Sequence, residues 1–275
     1  MIKTAGEALS TVVSITDKVK ETDSGKEAMQ ELGKAALTLS KVVNVVLTPI
    51  AAVNFSYDKA REYFANQFET DMANEMAGLD QEDLIDPKPS VVAPALQGLA
   101  FAHEEEHLKE MYLSLIASSM NKSRSSLAHP SFSEIIKQLT PDEAVVFREF
   151  SRPTYFEICS LSIKTSGRVV TRRYHDVIPL SKDGNWLRSK QTSPIIRNLI
   201  RLGLFEVDYG AEVASESAYV WLEGHPDYID CVQSYGKDRL HIDKGACVLT
   251  GFGEQFKSAV LPRVDAEGEG EKEKT

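Results

Sequence analysis

The chain has 275 residues, 42% hydrophobic and 26% charged, with a formal net charge of -10. That length and balance exclude a wholly disordered protein and allow two modest cores, while the negative field excludes general coating of nucleic acid and confines any phosphate contact to a local basic face. Three widely spaced cysteines, Cys159, Cys231 and Cys247, form no C-x-x-C pair, so neither a disulfide framework nor a cysteine zinc site is indicated and a reducing cytoplasm is expected.

In chain order, apolar residues at helical spacing predict a first helix over about 4–20, broken by Thr22-Asp-Ser-Gly25, and a second that turns largely apolar from Ala35 to Val53. A membrane span needs about 20 predominantly apolar residues. Lys41 sits near the middle of this stretch, at a cost of roughly 2.5 to 3.5 kcal/mol on insertion scales. Pro49 adds a kink. A buried or oligomer-forming helix is therefore expected, with Val42, Val46, Leu47 and Ile50 as its association face; a membrane-perturbing toxin is the alternative.

Tyr57, Ala60, Phe64, Phe68 and Met72 make the stripe of a third amphipathic helix running to Met76. The acidic, proline-punctuated stretch 78–90 cannot continue it. Helix is expected again from about Pro94 to Ser119. Within it lies His103-Glu-Glu-Glu-His107, which fits the H-E-x-x-H pattern of zinc peptidases. On one continuous helix the histidines, four apart, would share a side. Both x positions, however, are glutamates, whose burial beside a metal would be costly unless they were paired. Zinc also needs a third ligand. Glu134 stands at a usable separation but beyond Pro130. A zinc hydrolase through His103, Glu104 and His107 is thus the remote alternative, and no catalytic residue, metal or cofactor is expected.

After the polar linker 121–126 the pattern changes. His129 to Leu139 reads as a short helix, and Thr140-Pro-Asp-Glu143 reads as the capped start of another. Strands are expected over 155–164, 168–174, 204–207 and 218–222, and over 240–250 with Gly245 as a bend. Ser193-Pro194 to Gly203 has the punctuation of a helix with a serine cap and a glycine stop. A final helix is expected from Gly253 to Leu261. The fold class expected is mainly α with a smaller α+β part: a helical domain over 1–128, an elaborated winged-helix-like domain over 129–262, and an acidic/lysine tail over 263–275.

Such a domain can bind DNA or serve as an interaction module. Its segment 164–201 is a basic island, in which Arg172, Arg173, Arg188, Lys190, Arg197 and Arg201 are the candidate nucleic-acid or partner contacts, diluted locally only by Asp176 and Asp183. Read as phosphate binders they indicate a DNA-binding regulator. Read as a solvated basic face that pairs with the acidic N-terminal module, which is the expectation, they make no nucleic-acid contact.

Several phrases carry a family resemblance: Asn44-Val-Val-Leu-Thr-Pro-Ile50, Phe101-Ala-His-Glu-Glu-Glu-His-Leu-Lys-Glu-Met-Tyr112, His129-Pro-Ser-Phe-Ser-Glu-Ile-Ile-Lys-Gln-Leu-Thr-Pro-Asp-Glu-Ala144 and Leu249-Thr-Gly-Phe-Gly-Glu-Gln-Phe256. With them the chain, over nearly its whole length, resembles the bacterial abortive infection alpha family. The resemblance implies a phage-defence protein. It supplies no catalytic residue, cofactor or substrate to carry over, and it places the His103–His107 phrase in an acidic helix of the family. The expectation is a cytoplasmic protein acting through association, as a homo-oligomer or with a phage or host protein.

Overall fold

The computed structural model describes residues 54–261 apart from 77, 78, 80, 154, 165–169, 183, 212, 214 and 216. The described chain is mainly helical with a small antiparallel sheet. Two compact units divide between Pro141 and Asp142, and residues from Ser258 group with the first. The boundary set at 128/129 by the change in composition falls inside that first unit, where Phe132 and Ile136 are wholly buried.

The first unit is built from α1 (Asn54–Asn66), α2 (Phe68–Glu75), α3 (Pro89–Ala102), α4 (Glu106–Ser119) and α5 (Ser131–Lys137). The stripe expected over 57–76 is split at Gln67, where the backbone leaves helical geometry. Phe68 can then pack its ring against Tyr63 and Phe64, at 6.3 and 5.1 Å between centroids. Ala60, Tyr63, Phe68 and Met72 form the buried edge of this pair. The connection 78–90 is tied down in its second half. Ile85 N–H donates to Met120 O (2.9 Å), and Lys122 N–H donates to Asp83 O (2.8 Å).

The helix expected from Pro94 begins earlier, at Pro89, in the first turn where a missing N–H costs nothing. It also ends earlier, at Ala102, so the expected single helix is two. Leu96 and Leu99 of α3 and Leu108, Tyr112 and Leu115 of α4 are all buried, and Gly98 lets the two helices meet: a Cβ there would stand 2.3 Å from the Tyr112 ring. An unbroken rod could not fold these faces onto each other. The segment expected as a polar linker is ordered too. Asn121 is buried, and its Oδ1 accepts from Ser123 N–H (2.8 Å) and Ser123 Oγ (2.6 Å).

The second unit takes in α6 (Pro141–Phe150), whose start is where the Thr140-Pro141 signal put it. It is followed by β1 (Tyr155–Lys164), β2 (Val170–Val177), the short hairpin β3 (Ser181–Lys182) and β4 (Asn185–Trp186), α7 (Ser189–Arg201), β5 (Phe205–Asp208), α8 (Pro226–Tyr235), β6 (Leu240–Leu249) and α9 (Gly251–Val260). The main sheet has the order β2-β1-β6-β5, antiparallel throughout. On one side of β1, Cys159, Leu161 and Ile163 join Tyr228 and Cys231 of α8. Phe156, of the opposite register, meets Phe150 and Phe205, and Phe147, Phe205 and Phe256 complete an aromatic core.

Two expectations for the strands fail. Residues 218–222 form a turn and a 3-10 helix (Val220–Gly224) rather than a strand, with Tyr219 OH donating to Gly245 O at 2.8 Å and Leu222 buried in the core cluster beside β1. Gly245 is no bend either, since pairing runs straight through it to Ile158. Its lack of a side chain serves a close approach: a Cβ there would lie 2.8 Å from Asp208 O and 3.1 Å from Tyr209 Cα.

Candidate functional site: an acidic helix break and a clamped basic face

The zinc-like string sits on the break between α3 and α4. His103 and Glu104 are in a turn, and Glu105, with φ -101 and ψ 98, is extended. That residue turns the chain, so His103 and His107 are not one helical turn apart on a common face. Each makes its own contacts. His103 stacks on Tyr63 (5.0 Å between centroids, 27°), with Nδ1 3.1 Å from Ala100 O. His107 Nδ1 lies 3.6 Å from Glu110 Oε2. Glu104 is taken by Lys59 of α1 at 2.6 Å, and that lysine holds its carboxyl below the ordinary range. Glu134 is exposed on α5 and faces Lys137 at 3.8 Å. Among the described residues no group of three or more His, Cys, Asp or Glu is placed to hold a metal ion.

The basic island gathers mainly on α7 and the residues leading into it, but not as a row of free cations. The helix begins at Ser189, four residues before the expected Ser193 cap, and Pro194 lies in its interior. The earlier start follows from Asp227, which is almost wholly buried and accepts from Ser189 N–H at 2.7 Å. Its other oxygen takes Arg188 Nη1 at 3.2 Å, and the same guanidinium nitrogen contacts Asp230 of α8. The glycine stop is as expected. Gly203, at φ +74, lets Leu204 N–H reach back to Leu199 O (3.0 Å).

Arg197 is clamped more completely. Its Nε and Nη2 donate to the two oxygens of Asp176 at 2.7 and 2.8 Å, a bidentate pair. Asp176 is fully buried and adopts a left-handed backbone (φ 52), which aspartate tolerates better than most residues. Its carboxylate also accepts from Ser193 Oγ (2.8 Å) and Tyr209 OH (2.8 Å), and Tyr209 in turn accepts from Ser160 Oγ (3.0 Å). Four donors on one carboxylate satisfy a charge that burial would otherwise make costly.

The remaining candidates vary. Arg173 lies over the Tyr235 ring at 5.2 Å, Arg201 forks onto Asn198 Oδ1 at 2.9 and 2.7 Å, and Lys190 is exposed. The side chain of Arg172 lies outside the described residues, as do Val42, Val46, Leu47 and Ile50 of the candidate association helix. Sequence reading missed Asp227, Asp230, His225 and Tyr209. Its available signal was His225-Pro226-Asp227, a helix start in which His225 Nδ1 accepts from Asp227 N–H at 3.2 Å.

Residues 60–260 match the abortive infection alpha family. The chain belongs to that family. Membership points to abortive infection, a form of phage defence, and agrees with the resemblance carried by the sequence phrases. The match covers the split histidine string and the clamped arginines, and begins beyond the Val42–Ile50 stretch. No curated protein and no solved structure matches the chain. Among the described residues no helix is long and apolar enough to cross a membrane, a statement that does not reach the stretch 35–53.

Proposed function

We propose that this member of the abortive infection alpha family limits phage growth in the bacterial cytoplasm by protein association, as a homo-oligomer or with a phage or host protein, and without catalysis or a cofactor. The observation that carries this reading is the clamping of Arg188 and Arg197 on buried aspartates. Charges committed to holding a fold have little left for phosphate. The second unit is read as a winged-helix-like interaction module, with α7 and its Leu202-Gly203-Leu204 exit leading into the strands. Association is assigned to the apolar face of Val42, Val46, Leu47 and Ile50, because burying apolar area drives assembly. Lys41 and Asn44 would lie on a polar rim.

Replacing Val46 with Asp tests the reading by placing an unpaired charge in that contact. The expected result is loss of assembly on a sizing column together with loss of protection in phage plating. Wild-type protein is expected in the soluble fraction, and host membrane potential is expected to hold during infection. Recovery in membranes with depolarisation would favour the toxin instead. Tight duplex binding at physiological salt, with a salt dependence that flattens when Arg188, Lys190 and Arg201 become alanine, would favour a DNA-binding regulator.

A further inference from the structure

His225 occupies a place where only one charge state fits. Its ring is wholly buried. Nδ1 accepts from Asp227 N–H at 3.2 Å, capping α8, and Nε2 lies 3.1 Å from Leu187 O, an acceptor that requires the proton to be on Nε2. A neutral imidazole meets both demands, and an imidazolium cannot, because its second proton would face the Asp227 N–H. The connections made at this point are structural. Leu187 and Arg188 link β4 to α7, and Asp227, the second residue of α8, holds both Arg188 and the first amide of α7.

The groups facing the ring are few. Asp227 from its own turn favours protonation, while Arg188 from the segment opening α7 opposes it. β4 and the turn before α8 bring uncharged indoles, Trp186 at 5.8 Å and Trp221 at 5.9 Å between ring centroids. Burial is the largest influence and pulls the pKa below the ordinary 6.5, ahead of the hydrogen bond to Leu187 O that works the other way. The packing has little slack to absorb a new charge. Trp221 Nε1 is already buried with no hydrogen-bond partner.

We propose that His225 is a proton-operated latch, which when neutral pins the start of α7 to α8 and when protonated releases the α8 cap and the Asp227–Arg188 contact together. The sign is set by linkage. A folded-state pKa below the unfolded one gives stability that is complete above pH 6.5 and is lost as pH falls through the folded value. Acidification therefore loosens the α7–α8 junction and leaves the sheet core, whose apolar residues carry no titrating charge, in place.

The chain contains only two tryptophans, and both pack on His225, so intrinsic fluorescence of the full-length protein reads this junction alone. Between pH 8 and 5 the wild type should lose emission in a single reversible step with its midpoint below 6.5, with far-UV circular dichroism nearly constant. His225→Gln, which can offer a carbonyl oxygen and an N–H in place of the ring nitrogens, should remove the step. Arg188→Gln takes away the opposing charge and should move the midpoint upward. A wild type flat over this range, a step that survives His225→Gln, or a midpoint that stays or falls in Arg188→Gln would each overturn the latch. If His225→Gln does not fold, the direction of the Arg188→Gln shift decides.

Discussion

Glu104, Glu105 and Glu106 stand exposed at a helix break in the first unit, whereas Asp176 and Asp227 in the second are buried and hold arginines distant in sequence. Both regions look strongly charged along the chain, yet the charge does different work. In the first unit the acids cost little because water solvates them, and the packing is left to Leu96, Leu99, Tyr112 and Leu115. In the second unit Asp176 and Asp227 are part of the interior, and each needs its donors to be tolerated there: Arg197 and the hydroxyls of Ser193 and Tyr209 for Asp176, Arg188 and the Ser189 amide for Asp227. Local charge density therefore says little about which charges face solvent.

The sharpest way to break this comparison is Arg197→Ala. It leaves Asp176 buried with only Ser193 and Tyr209 as side-chain donors. Breaking a buried pair costs about 3–5 kcal/mol, and the half-exposed position of Arg197 puts the expected loss near the lower end. Urea denaturation should show a lower midpoint with an unchanged slope. An unchanged midpoint would mean that the arginine is spare and open to a ligand, which removes the main support for the association reading.

The corresponding change in the first unit is steric. Gly98→Ala puts a methyl group 2.3 Å from Tyr112, which is itself buried and reaches Ser133 O. Overpacking of this kind costs about 1–3 kcal/mol, against a gain in helix propensity of up to about 1 kcal/mol. A lower melting temperature is expected. A rise would show that Tyr112 can swing aside and that α3 and α4 are not closely fitted.

A smaller effect concerns the cysteines of the second unit. Burial pushes the Cys159 and Cys247 thiols up to about 12. A folded pKa raised above the unfolded value gives stability that is complete below about pH 8.5 and is lost progressively as pH rises toward 12. At pH 8.5 an alkylating reagent should therefore modify both residues only as fast as the protein unfolds. Peptide mapping that finds prompt labelling in the native protein would contradict the packed sheet core.

The smallest expected effect is on metal content. Protein purified without chelator should carry less than stoichiometric zinc, and His103→Ala or His107→Ala should leave that content unchanged. Near-stoichiometric zinc lost in either variant would require the break between α3 and α4 to close into one helix.

Much of the framework was legible in the chain itself, because it depends on neighbours close in sequence. Pro141 at a helix start, Gly203 at a helix stop, and the runs that become β1 and β2 follow from spacing, fixed dihedrals and missing donors. The family resemblance was also carried by contiguous phrases. What the tertiary structure alone decided depends on residues far apart. Asp227 accepts from the amide of Ser189 and so starts α7 five residues before Pro194, from a position 38 residues downstream, and residues 218–222 are held as a turn and 3-10 helix in which Tyr219 OH reaches Gly245 O. Packing between α3 and α4 breaks the helix that would have brought two histidines together. Asp176 and Asp227 turn two arginines of the basic island, Arg197 and Arg188, into internal clamps. Helical period and charge count report what each residue can do. Which partner it does it with is set by burial, since a desolvated charge must find its counter-ion wherever the fold brings one.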